Sequence, residues 1–495
     1  MMVAYVPLAM TEQGINLKEK TVKGMFWGSV DTFLTKGLNF IFNLLIARQL
    51  LPQDYGAIAI LCIIMCFSQC FVDSGFGTAL VRKNDRTEAD YSTVFYFNIV
   101  VALIIYVIIF LASPYIAHFY NIPELSSVTK VYSITLIINA FAIIQNAKLT
   151  IDVNFKAFAK ISLITAIISG IVGLWMASHG YGVWALVMQA VMNSLFRTIL
   201  LWRTSKWTPK MLFSWKSFKD FFNFGLKILG GSLINVLYNN IYPLIIGKVY
   251  SPSSLGAYTR GENIAKFPSE SAIGVIANVS FPVLSSIQDD EPRLKQSFRE
   301  IIRLSSFIIF PLMIGVSAIA DPFIRICLTD KWETTIPLLQ ILCFALIWNP
   351  ITNLNYVILK IKGRSDYFFK VTIISKAIGL TILCLTVKFG LKIICLGQIM
   401  GMFINIPISI YFVNKVIGYN FNQLVIDTKR IFLLAFSMGI LVTIIVQLIP
   451  SQPMKLIIGF LLGAGYYILI AKLLKYEELT NLLEIITIYI KELKK

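Results

Sequence analysis

Residues 247–259 read GKVYSPSSLGAYT, and residues 47–59 read ARQLLPQDYGAIA. Each stretch sets a basic residue ahead of a proline and closes on glycine-alanine. At the same offset Asn39 falls on Asn239, Ile41 on Ile241, Leu44 on Leu244 and Ile46 on Ile246, while Arg48 is answered by Lys248. Further along, ASPYI at 112–116 is echoed by ADPFI at 320–324, and the longer offset fits a longer loop around Gln288–Lys295. Both echoes fall at the same ends of corresponding apolar segments, so the chain reads as one half written twice.

The apolar segments set the class. Hydrophobic residues make up 57% of the chain, charged ones 14%, and the mean hydropathy is +0.74, well outside the range of a soluble domain. A helix that spans the hydrocarbon needs about 20 apolar residues. Fourteen such segments are expected, at 25–47, 56–79, 91–112, 126–149, 158–178, 182–202, 225–247, 256–283, 301–320, 335–359, 367–388, 391–413, 430–449 and 455–474. Six spans separate the two copies, so both halves enter the membrane in the same direction. Parallel repeats of this kind are related by an axis along the membrane normal and flank a central site.

Lys and Arg collect in VRKNDRTEAD, WRTSKWTPK, EPRLKQSFREIIR and KIKGRSD, while LLPQDYG, SHGYG and IPSQPMK are poor in them. Positive charge is retained on the cytoplasmic side, which places both termini in the cytoplasm. The net charge of +18 is then accounted for by topology and the anionic inner leaflet, and nucleic acid is not implied. The first apolar run reads as a full span rather than a signal peptide, with Met10 an alternative start. Cys62, Cys66 and Cys70 share one helical face but lie in an apolar span, where Cys acts as a small hydrophobe; no metal site is expected. His118 and His179 read as interfacial residues.

Polar residues inside the spans mark the expected site. On the first span Ser29, Thr32, Lys36, Asn39 and Asn43 fall on one face at 100° per residue. Asn235, Tyr238, Asn239 and Tyr242 repeat the stripe on the seventh. Glu262, Lys266 and Glu270 follow at i, i+4, i+8 on the eighth, with Arg260 and Asn263 beside them, and Lys376 is central in the eleventh. A charge at the bilayer centre costs at least ~2.5–3.5 kcal/mol, so these positions are expected to face a wet interior. Lys266 can be neutralised by Glu262 and Glu270, whereas Lys36 and Lys376 have no acid one turn away on their own helices and read as anion-binding. Lys130 and Arg197, near span ends, are expected to snorkel. Asp31 and Asp73, near cytoplasmic ends, are expected to cap or to pair with loops.

The stretches LLPQDYGAIAI (50–60), SLGAYTRGENI (254–264), SFPVLSSIQDD (280–290) and DPFIRICLTDKWETTIPLLQIL (321–342) resemble the polysaccharide transporter family, the Wzx-type flippases of the MOP superfamily, in particular its colanic- and teichuronic-acid branch. The resemblance implies an all-α polytopic membrane protein of MATE-like fold, with two six-helix bundles in parallel repeat and two C-terminal helices. It also implies a place in the bacterial cytoplasmic (inner) membrane, and since the sequence shows no catalytic cluster the chain reads as a non-enzyme. Its substrate would be an oligosaccharide repeat unit on undecaprenyl pyrophosphate, moved from the inner to the outer leaflet by alternating access for surface polysaccharide biosynthesis. The family's cationic central cavity would correspond to Lys36, Arg260, Lys266 and Lys376, and the side chains of Asn39, Asn43, Asn239 and Tyr242 suit sugar hydroxyls as further substrate-binding groups. Glu270 departs from the family pattern and is the candidate for coupling to an ion, H⁺ or Na⁺; no other cofactor is implied. The implied partners are the lipid-linked oligosaccharide, inner-membrane lipids, a polysaccharide polymerase and glycosyltransferases.

The expected organisation is a cytoplasmic segment at 1–24, an N-terminal six-helix lobe at 25–205, an amphipathic interfacial linker at 206–224, a C-terminal six-helix lobe at 225–415, a last helix pair at 416–475 and a cytoplasmic tail at 476–495. In the linker Lys216, Lys219, Asp220 and Asn223 oppose Trp215, Phe218, Phe221 and Phe222, the pattern of a helix lying on the leaflet. Two other transport functions fit the same fold. A multidrug or cation exporter would want a mainly acidic or aromatic cavity, and Lys36 and Lys376 argue against it. A lipid II flippase would share the cationic cavity, and only the motif resemblance disfavours it. A membrane polymerase would need a large outward loop or an acidic metal motif, and neither appears in the sequence.

Overall fold

The computed structural model describes residues 34–83, 85–152 and 154–484, and every regular element among them is helical. The chain divides into two compact units, one ending at Thr259 and the other starting at Arg260. The N-terminal unit begins with α1 (Lys36–Gln49), α2 (Pro52–Asp73), a short α3 (Phe76–Arg82) and a long α4 (Glu88–Tyr120). Three short helices follow, α5 (Glu124–Tyr132), α6 (Ile134–Ala140) and α7 (Ile143–Ile151). The unit then runs through α8 (Phe155–Ser178), α9 (Val183–Ser205), α10 (Trp215–Asn239), α11 (Ile241–Val249) and the first turns of α12 (Pro252–Ser286).

The C-terminal unit takes the rest of α12, then α13 (Glu291–Ala318), α14 (Ala320–Cys327), α15 (Thr335–Leu346) and α16 (Asn349–Ile361). It ends with α17 (Ser365–Thr386), α18 (Leu391–Ile417), α19 (Phe421–Leu448) and α20 (Gln452–Leu473). Among the described residues 11 helices, with α15 and α16 counted as one, are long and apolar enough to cross a membrane, and the bent run α5–α7, broken by 42°, makes up to 12. The two remaining expected spans are α1 and α12. Residues 25–33 of the first lie outside the described residues, as do Ser29, Asp31 and Thr32. The second is 35 residues long and carries Arg260, Glu262, Lys266 and Glu270 along its length.

Local chemistry sets where the helices start and stop. Pro52 occupies the first turn of α2, where its missing N–H costs nothing, and the Asp54 carboxylate accepts the Leu51 N–H at 2.9 Å. At the other end Ser74 and Gly75 are both left-handed, φ 45° and 71°, which turns the chain from α2 into α3. Thr87 and Asp90 cap α4 reciprocally: the Asp90 N–H donates to Thr87 Oγ1 at 3.2 Å and the Thr87 N–H to Asp90 Oδ2 at 2.8 Å, the capping-box arrangement. Asp90 is buried and also takes Lys83 Nζ at 2.8 Å. Beside it Phe76, Phe95, Trp207 and Phe221 form a buried aromatic cluster.

Residues 206–214 are not helical. They are tied to the start of α4 by the Lys210 N–H donating to Ser92 Oγ at 3.1 Å and the Ser214 N–H to Thr93 Oγ1 at 2.9 Å. Ser214 then caps α10, so Trp215, Phe218 and Phe221 form the first turns of a 25-residue helix.

The repeated turns have a shared structural use. A Cβ built on Gly56 would overlap the carbonyl oxygen of Pro252, and one on Gly256 that of Pro52, as well as lying 3.0 Å from the Gly56 nitrogen. The first turns of α2 and α12 therefore cross backbone to backbone within the N-terminal unit, which only glycine at both positions allows.

In the C-terminal unit charged pairs bind α13 to α19 and to the segment after α20. Arg299 donates to both Asp427 oxygens at 2.9 and 2.7 Å, and Tyr419 donates to the same carboxylate at 3.0 Å. Arg303 holds Glu478 at 2.6 Å and Glu477 at 3.0 Å. Burial, with the Asp427 charge next, pushes the Tyr419 hydroxyl well above its ordinary pKa.

Candidate functional site

In the N-terminal unit the polar stripe survives as far as it is described. Lys36 opens α1 and is exposed; Asn39 and Asn43 follow on the same helix, both half-buried. Asn43 Nδ2 donates to the Asn39 carbonyl at 2.8 Å, and the Asn43 carbonyl accepts Tyr55 Oη at 3.2 Å, which ties α1 to α2. The matching stripe does not run along one helix. The chain breaks at Asn240, φ −111°, whose side chain donates to the Val236 carbonyl at 2.8 Å. Asn235 and Asn239 are thus exposed on α10, whereas Tyr242 is half-buried on α11. Competition of an asparagine amide with the backbone for a carbonyl is a common cause of such a break.

In the C-terminal unit Arg260 is buried at 4% exposure on α12. Lys266 Nζ lies 2.9 Å from Glu262 Oε1. The sequence spacing offered Lys266 two acids; the structure pairs it with Glu262 and leaves Glu270 exposed one turn on. Lys376 is half-buried on α17, beside Ser375, whose hydroxyl bonds to the Asn405 side chain of α18. Lys36, Asn39, Asn43, Asn239 and Tyr242 therefore belong to one unit, and Arg260, Lys266, Glu270 and Lys376 to the other.

One polar network was missed by sequence reasoning. Asp73, expected to cap or to pair with a loop, accepts Gln69 Nε2 at 3.0 Å, and Gln69 Oε1 accepts Asn139 Nδ2 at 3.2 Å. The Gln69–Asp73 spacing of four was a legible signal, but Asn139, 70 residues away, was not. Lys130, expected to snorkel, sits over the Phe110 ring at 5.0 Å.

The sequence matches the model of a family described as polysaccharide biosynthesis protein over residues 45–337. It is 26% identical to the teichuronic acid biosynthesis protein TuaB of Bacillus subtilis (strain 168), over 72% of this chain and 74% of that one. It is 24% identical to the lipopolysaccharide biosynthesis protein WzxC of Escherichia coli (strain K12), over 83% and 85%. Among solved structures it is similar to the lipid II flippase MurJ in an inward closed conformation, with TM-score 0.74, 16% identity and coverage of 92% of this chain and 99% of that one. An inward-facing multidrug resistance MATE transporter of the MOP superfamily matches at TM-score 0.58 and 13% identity over 79% and 98%. At these identities the likeness is one of fold, and the fold is MATE-like.

Proposed function

The chain belongs to the polysaccharide biosynthesis protein family, a multi-pass membrane transporter rather than an enzyme, and we propose that it flips an undecaprenyl-pyrophosphate-linked oligosaccharide repeat unit from the inner to the outer leaflet of the bacterial cytoplasmic membrane by alternating access. The observation that carries this reading is the family match on a chain whose membrane helices hold basic and amide side chains inside their length. A pyrophosphate-sugar head does not cross hydrocarbon unless its hydration and counter-charges are replaced. Lys36, Arg260 and Lys376 supply charge for the pyrophosphate. Lys266 contributes only by leaving Glu262, so substrate and Glu262 compete for it. Asn39, Asn43, Asn239 and Tyr242 offer donors and acceptors for sugar hydroxyls. Glu270, exposed beside the pair, is the place for a coupling proton or Na⁺.

Lys36→Ala and Lys376→Ala each remove a charge without adding bulk, and a hydrogen bond to a charged group is worth roughly 1.5–3 kcal/mol. Each is expected to weaken substrate binding on the order of ten- to a hundred-fold and to block surface polysaccharide in a complementation assay at normal membrane abundance. Arginine at either position rescues in part, since the charge stays and the geometry changes. Full complementation by both alanine variants sinks the reading of these lysines. Orientation is tested separately: Ser253→Cys is expected to react with an impermeant thiol reagent from outside, and Ser365→Cys to be protected.

A further inference from the structure

The N-terminal unit contains a cleft of about 460 Å³ that none of these roles uses. Asp73 at the end of α2, Gly75 and Thr78 at the start of α3, and Asn146 and Thr150 on α7 line it. The left-handed turn at Ser74 and Gly75 carries the chain from α2 into α3 beside the cleft, which Asp73 and Gly75 both line. Asp73 is exposed there, is oriented by the Asn139–Gln69 relay, and has no basic partner among the described residues.

Two of the other side chains on the wall, Asn146 and Thr150, donate elsewhere. Asn146 Nδ2 gives a hydrogen to the Ala142 carbonyl at 3.0 Å, and Thr150 Oγ1 gives its only one to the Asn146 carbonyl at 2.8 Å. Toward the cleft stand the Asp73 carboxylate, the one formally charged group on the wall, the oxygens of Thr78, Asn146 and Thr150, and only two side-chain donors, the Thr78 hydroxyl and the second amide hydrogen of Asn146. An anion is repelled by such a wall. A neutral sugar would leave the Asp73 carboxylate without a counter-charge. A divalent ion ordinarily recruits further carboxylates, and among the described residues no cluster of three or more His, Cys, Asp or Glu is present.

From this match of charge and lone pairs we infer that the Asp73 cleft binds a singly charged cation. The space greatly exceeds a bare ion, so the cation arrives with part of its water, as sodium does, or as the ammonium group of a phosphatidylethanolamine headgroup. The inference does not rest on the oligosaccharide reading.

Val81 lines the same cleft and brings no polar atom, so Val81→Cys reports its occupancy. The full chain is placed in phosphatidylcholine nanodiscs and labelled with a maleimide, the peptide carrying residue 81 being read by mass spectrometry. Labelling is compared in about 100 mM sodium chloride and in tetraethylammonium chloride of equal ionic strength; shielding of the thiol is expected to slow it roughly threefold in sodium. Protection that instead requires phosphatidylethanolamine in the disc, and not sodium, identifies the headgroup as the source and equally supports the site. In both arms Asp73→Asn abolishes the protection, and Glu270→Gln leaves it intact. Where Asp73→Asn does not reach the membrane, Asn146→Ala serves instead: loss of one oxygen ligand raises the cation concentration for half-protection about tenfold. Equal rates in all three conditions, protection that survives in a folded Asp73→Asn protein, or an unchanged half-point in Asn146→Ala overturns the inference.

Discussion

The two copies of the repeat agree at one echo and part at the other. Pro52–Gly56 and Pro252–Gly256 each open a helix, and each brings its glycine onto the other's proline carbonyl. Ser113–Pro114 and Asp321–Pro322 look equally alike in sequence, yet α4 runs on through Pro114 to Tyr120, whereas α13 stops at Ala318 and a new helix begins at Ala320. A proline deprives the carbonyl four residues back of its N–H. In the first copy that carbonyl belongs to Phe110, and the buried Ser113 hydroxyl donates to it at 2.8 Å. In the second it belongs to Ala318, already at a helix end, where no ladder partner is required. Asp321, standing where Ser113 stands, sits in the first turn of α14 and holds Arg325 at 2.8 Å. The same proline is absorbed where a neighbouring hydroxyl replaces the lost donor, and marks a break where the neighbour is a charged group.

The largest effect is expected at the crossing. Gly56→Ala and Gly256→Ala each force a methyl group into a backbone carbonyl, which cannot swing aside as a side chain can, and a loss of about 3 kcal/mol or more is expected. Thermal melting of the purified protein checks it, with membrane abundance as a second reading. Gly37→Ala, where nothing lies within 4 Å of the added Cβ, should melt at or above the parent temperature. If one crossing glycine tolerates alanine and the other does not, the equivalence of the two turns is broken.

An intermediate effect belongs to the unlike echo. Ser113→Ala strips the Phe110 carbonyl of its donor in a buried site, at a cost of about 1–3 kcal/mol. Pro114→Ala restores a backbone N–H to the same carbonyl, so in that background Ser113→Ala should cost under about 0.5 kcal/mol. Equal costs in both backgrounds would show that the serine acts through something else, such as Ser126, whose Oγ lies 3.4 Å away.

Features that depend on a few adjacent residues were legible in the sequence. Apolar length announced the membrane class, and proline-glycine punctuation announced the repeat and its turns; the motif resemblance named the family and the fold that the comparisons bear out. The stretch around Arg299 and Arg303 read as a basic cytoplasmic segment running into a span, but the partners of its arginines were not legible, with Asp427 lying 128 residues from Arg299 and Glu478 lying 175 from Arg303. Spacing along one helix could not choose between Glu262 and Glu270 for Lys266, because the two acids are equidistant in sequence and differ only in their surroundings. The break at Asn240 was hidden because an asparagine amide in an apolar run is compatible with both a continuous helix and a capped end.

The smallest expected effect is at Asp321, the counterpart of Ser113. Arg325 holds three carboxylates at once, Asp321 at 2.8 Å, Asp330 at 2.6 Å and Glu333 at 2.9 Å. The hydrogen bonds it donates to these three, to Asp321 first, raise the guanidinium pKa well above its ordinary value. Asp330 and Glu333 are largely exposed, at 80% and 66%, so water and salt screen the cluster. Exposed ion pairs contribute about 0.2–1 kcal/mol, and two partners remain for Arg325 after Asp321→Ala. The substitution is therefore expected to cost under about 1 kcal/mol, and the cost should shrink further in high salt, which screens exposed charges. Ser113→Ala, which acts on a buried neutral hydrogen bond, should be indifferent to salt. A cost at Asp321 as large as that at Ser113, or one insensitive to salt, would mean that the aspartate holds the start of α14 in place as the serine holds α4 together, and the contrast between the two copies would fail.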